Sequence, residues 1–127
     1  MIESDFILHT YSRREAIDDG ILIDVTDTAK EAGFKMPVAI TSTVWAAYVV
    51  VPNGVEGQDE QGRLWDVIMM LRFAIRSSTG PGAILHYRLY VRNDNREQDA
   101  PPVELKAVCG PNDDGTPCVT VMLPTED

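Results

Sequence analysis

Apolar positions in this chain change their period partway along, and the change marks out its elements. From Arg63 to about Arg76, Leu64, Val67, Ile68, Leu71, Ala74 and Ile75 recur at spacings of three and four, which predicts a helix with one apolar face. Asp59 and Glu60 stand near its positive end, and Arg72 and Arg76 near its negative end, so charge complements the helix dipole. The run Ser77-Ser78-Thr79-Gly80-Pro81-Gly82 ends it. The period then drops to two. Leu85, Tyr87, Leu89 and Val91 alternate with His86, Arg88, Tyr90 and Arg92, the signature of a half-buried antiparallel strand. Val103, Leu105, Ala107 and Cys109 predict a second strand, Asp114-Gly115 a turn, and Val119, Val121 and Leu123 a third.

The N-terminal half carries shorter signals. Ser12-Arg13-Arg14-Glu15 is a capping box that opens a short helix through Ala16 and Ile17, stopped at Gly20. Ile21-Leu22-Ile23 reads as a short buried strand. Thr26 or Asp27 is placed to cap a second short helix, Thr28 to Ala32, closed by Gly33 ahead of Pro37. Thr41 and Ser42 are placed to cap a helix from Thr43 to Val51, ended by Pro52, but β-branched Val44, Val49, Val50 and Val51 suit a strand equally. Asn53 to Gly62 reads as an exposed loop. The expected fold class is α+β in one domain over residues 1–127. It has short N-terminal helices with a short strand, one long central amphipathic helix and a C-terminal three-stranded antiparallel meander.

The long helix has a second apolar stripe, Trp65, Met69 and Phe73, with Met70 beside it. These four are interface candidates. Either the Thr43 to Val51 segment covers them, or they meet a partner or a second copy of the chain.

Composition narrows the functional classes. Of 127 residues, 44% are apolar and 24% charged, as in ordinary globular domains. Eleven basic against 20 acidic residues give a net charge of −9. That field opposes nucleic acid and anionic membrane, which need clustered cations, and favours a partner with a basic surface. The acids in Met1-Ile2-Glu3-Ser4-Asp5 stand where a secretory leader needs a basic region. The longest apolar stretch, Val44 to Val51, falls short of the ~20 residues a membrane helix needs. The expected compartment is the cytoplasm, where Cys109 and Cys118 stay reduced. Flanking a turn, these thiols are expected nearly opposite each other, free and half-buried.

No motif for catalysis, metal or cofactor emerges. Gly80-Pro81-Gly82 lacks the lysine and following helix of a phosphate loop. Asn93-Asp94-Asn95 lacks the central glycine and terminal glutamate of a calcium loop. Asp18, Asp19, Asp24 and Asp27 read as a solvated rim, and His9 and His86 have no nucleophile at a recognisable spacing. The ligand-binding candidates are His86, Arg88, Tyr90 and Arg92 on the outward face of the first meander strand, with Lys106 on its neighbour. Arg and Tyr together suit anions or stacked bases, and the same residues also make an ordinary solvated sheet face.

Several phrases taken together carry a resemblance. They are Tyr11-Ser12-Arg13-Arg14-Glu15-Ala16-Ile17-Asp18-Asp19-Gly20 with Ile21-Leu22-Ile23-Asp24-Val25, Ala29-Lys30-Glu31-Ala32-Gly33-Phe34, and Pro37-Val38-Ala39-Ile40-Thr41 with Val44-Trp45. Asp59-Glu60-Gln61-Gly62-Arg63-Leu64-Trp65-Asp66-Val67 and the Leu105 to Pro124 segment complete the set. The chain resembles an uncharacterised family of small proteins encoded by phages, plasmids and integrated elements of bacteria. That resemblance implies an accessory protein of a mobile element that blunts a host defence. With the acidic field and the missing catalytic motifs, the expectation is a non-enzymatic inhibitor of a CRISPR or restriction system acting by protein–protein contact. The alternative is a small-molecule or nucleotide-binding protein using the basic and aromatic strand face.

Overall fold

A computed structural model describes residues 12–78, 82–94 and 101–126. Helix α1 (Arg13–Asp18) starts as its capping box dictates, the Ser12 hydroxyl accepting from the Glu15 N–H at 3.0 Å. Strand β1 (Leu22–Asp24) and helix α2 (Thr26–Glu31) follow. Here the cap differs from expectation. Val25 occupies the N-cap position, and the Asp24 carboxylate accepts from the Thr26 N–H instead. Strand β2 (Val38–Thr41) is buried at all four positions.

Thr41 then caps helix α3 (Ser42–Val44), its hydroxyl accepting from the Val44 N–H. The chain continues as a π-helical turn (Trp45–Val49), closed by the Val50 N–H donating to the Trp45 carbonyl at 2.9 Å. The ambiguous Thr43 to Val51 segment is therefore helical over residues 43–49.

The long helix α4 (Glu60–Ser77) begins three residues before the expected start at Arg63, because Asp59 caps it through a 2.6 Å bond from the Gly62 N–H. Strands β3 (Ile84–Leu89), β4 (Val103–Pro111) and β5 (Pro117–Met122) complete the sheet. Its order is β1-β2-β5-β4-β3. The three C-terminal strands are antiparallel neighbours, yet they are not a separate meander. β5 pairs parallel with β2, so a mixed five-stranded sheet joins both halves of the chain.

Register puts Ile23, Ile40, Val121, Ala107 and Leu85 in one row across all five strands, on the face that packs against α2, α4 and the π turn. On α4, Leu64, Val67, Ile68 and Leu71 fill the other side of this core. The opposite sheet face is covered in part by α1. Arg13 donates to the Thr120 hydroxyl (2.6 Å) and the Val119 carbonyl (2.8 Å), while the Asp113 carboxylate caps the Arg13 and Arg14 amides. Asp113 can do so because the β4–β5 turn is tight. Gly115, at φ +84°, takes the left-handed position such a turn requires. The segment after β5 is latched back by Glu126, whose carboxylate accepts from Thr41, Thr43 and the Leu123 N–H.

The cysteines correct a second expectation. Cys109 pairs with Val119 and Cys118 with Gly110, so the thiols sit one rung apart on opposite faces and cannot face each other. Both are free. Cys118 is buried, which pushes its pKa up, whereas Cys109 is exposed.

Candidate functional site

The first turn of α4 holds a charged side chain where its spacing demands an apolar one. Arg63 precedes Val67 and Leu71 by four and eight residues, so it lies on the buried stripe, and it is only 6% exposed. Its guanidinium is satisfied in place. Nε donates to the Val49 carbonyl (3.2 Å), Nη1 to Gln58 Oε1 (2.7 Å) and the Arg92 carbonyl (2.6 Å), and Nη2 to Asn93 Oδ1 (2.6 Å). Burial lowers its pKa, though a guanidinium stays charged at any ordinary pH. The π turn ends where its carbonyls are free to accept, and Asn93 Nδ2 takes that of Ala47. One planar group thus draws together the π turn, the loop before α4 and the chain leaving β3.

Outside this clamp lies a cleft of about 390 Å³. Tyr48, Trp65, Tyr90 and Arg92 rim it, and Asp59 and Asp66 add carboxylates. Tyr90 is 71% exposed, and the Arg92 Nε–H donates to the Asp94 carbonyl. Rings and charges of both signs offer stacking, cation–π contact and hydrogen bonding at once.

The ligand candidates read from the sequence are divided by this geometry. Tyr90 and Arg92 lie beyond the last residue of β3 and line the cleft. His86 and Arg88 stay on the open sheet face. There His86 Nδ1 is 3.8 Å from Glu104 Oε2, and Arg88 stands in register with Glu104. The Lys106 ammonium donates to the Glu126 carbonyl. His9 lies outside the described residues. Of the interface candidates, Trp65 and Met69 pack partly against the core, while Met70 and Phe73 are exposed. Sequence reasoning missed Arg63, Tyr48, Gln58 and Asn93. Only Arg63 carries a signal, a polar residue on an apolar stripe.

The fold defines the class: a small α+β domain with a five-stranded mixed sheet backed by one long helix. Within that class the chain belongs to DUF6573, a family of unknown function whose model matches residues 1–127. No curated protein and no solved structure matches it. Among the described residues, no helix is long and apolar enough to cross a membrane.

Proposed function

We propose that the chain is a binding protein that acts by contact, and that it meets a protein partner at the cleft and the adjoining Met70 and Phe73 edge of α4. The observation that carries this reading is the composition of the cleft. One tryptophan, two tyrosines and an exposed arginine surround a buried guanidinium clamp, and these are the residue types that anchor protein interfaces. Asp59, Asp66 and the net charge of −9 favour a partner with a basic surface. The resemblance supplies the setting: the cytoplasm of a bacterium carrying a phage or plasmid gene, with a CRISPR or restriction protein as the target.

The test uses the chain as bait in a host lysate, beside a Tyr90→Ala/Arg92→Glu variant. Both side chains are exposed, so the variant keeps its melting temperature. One host protein should be retained by the parent and lost by the variant. Equal retention by both overturns the assignment of the cleft.

A second reading rests on size. The cleft lies within the range of about 300–1,000 Å³ typical of small-molecule sites, and Tyr90 with Arg92 suits a stacked or anionic ring. A ligand at about 100 times its dissociation constant adds about 2.7 kcal/mol of stability. Thermal stabilisation of the purified chain by nucleotides, absent in the variant, selects this reading over the first.

A further inference from the structure

The core runs out before the apolar pattern does. On α4 the inward stripe Leu64, Val67, Ile68 and Leu71 is buried, and its next member, Ile75, is 45% exposed. On β4 the inward alternation passes from buried Leu105 and Ala107 to exposed Cys109. Leu85, the first inward residue of β3, is only half-buried. These failures of burial coincide in space. They border a groove of about 990 Å³ between the last turns of α4, the segment after α2 and the sheet, with Phe34 and Met36 on its far wall. It shares no residue with the cleft.

The charges around this groove oppose those of the whole molecule. Lys35, Arg72 and Arg76 line it and no aspartate or glutamate among the described residues does, although the chain holds 20 acids against 11 bases. None of the three cations has an ion pair among the described residues. Arg72 is folded over Gly33, where a Cβ would lie 1.8 Å from its Nη1, so only glycine leaves the guanidinium room there. Gly33 also holds φ +102°, which independently disfavours a side chain.

We propose that the groove holds an amphipathic anion of the medium-chain carboxylate class, its tail against Phe34, Met36, Ile75 and Leu85 and its head among Lys35, Arg72 and Arg76. The volume is that of a small-molecule site. An apolar chain would cover the inward positions that the described residues leave wet, and a carboxylate would pair cations that have no acid partner among those residues.

Cys109 lines the groove and is exposed, whereas Cys118 is buried, so the reaction of Cys109 with a thiol reagent reports occupancy. Dodecanoate, kept below its micellar concentration, should slow that reaction several-fold, and dodecyltrimethylammonium should not. An Arg72→Glu/Arg76→Glu variant should lose the protection while keeping the parental melting temperature. An unchanged reaction rate with dodecanoate overturns the proposal, as does slow reaction of Cys109 before any amphiphile is added. Equal protection by the cationic amphiphile overturns the head-group site. Protection by an apolar peptide ending in a carboxylate, but not by dodecanoate, replaces the ligand class.

Discussion

Arg63 and Tyr87 are two side chains with polar groups that the fold buries. Replacing Arg63 by alanine strands the buried carbonyl of Val49, at a cost of about 1–3 kcal/mol, while water can reach the part-buried acceptors of Gln58, Arg92 and Asn93. Urea denaturation should record a loss of at least that size. Arg63→Lys should recover only part of it, because a compact ammonium cannot span acceptors that a planar fork reaches together. Arg63 was legible as an exception to the apolar stripe, but its acceptors come from residues 49, 58, 92 and 93, which no local pattern connects. The Tyr87 hydroxyl donates to the Val67 carbonyl at 3.0 Å inside the core, and burial raises its pKa well above the ordinary phenol value. Unfolding exposes a phenol that ionises near pH ~10, so this contribution is complete below that pH and fades as pH rises above it. The stability gap between the parent and Tyr87→Phe should therefore shrink above pH ~10, by about 1.4 kcal/mol per unit. A gap that stays constant between pH 9 and pH 11 removes Tyr87 from the alkaline response.

Among the elements, α4 and the C-terminal strands were readable because periods of 3.6 and 2 persist over many residues. The head of α4 was not, since Glu60, Gln61 and Gly62 carry no apolar signal and only the Asp59 cap marks the start. Strand β2 was hidden for a different reason. It is buried on both faces, so its four residues show no alternation, and Pro37 directs attention to a break instead. The parallel β2–β5 pairing could not be anticipated without β2. The stripe along α4 also overstated the core, because Ile75 continues the period without the burial. Two alanine substitutions measure that difference. Leu71→Ala should cost about 2–5 kcal/mol through lost packing and a residual cavity. Ile75→Ala, at a site already near half exposed, should cost under about 1 kcal/mol. Equal losses from the two would place both on the same buried layer.

For the molecule as a whole, the long helix separates stability from surface. The π turn packs on one side of α4 and leaves Met70 (37% exposed) and Phe73 (51% exposed) facing outward. Met70→Glu/Phe73→Glu should change stability by no more than about 0.5 kcal/mol per site, because neither charge enters the core. If sedimentation shows the parent in an assembly, that assembly should come apart in the variant. Collapse of the fold instead would make these side chains part of the interior. The sheet order has a consequence of another kind. Of the strands among the described residues β5 comes last in sequence, and it occupies the middle of the sheet between β2 and β4. A nascent chain still lacking Pro117–Met122 holds a β1–β2 pair and a β3–β4 pair, each with an inner edge waiting for the same absent strand. Closing the sheet then requires contacts far apart along the chain, which form slowly. The domain therefore cannot assemble piece by piece behind the ribosome. Closure of the five-stranded sheet waits until residue 122 has emerged.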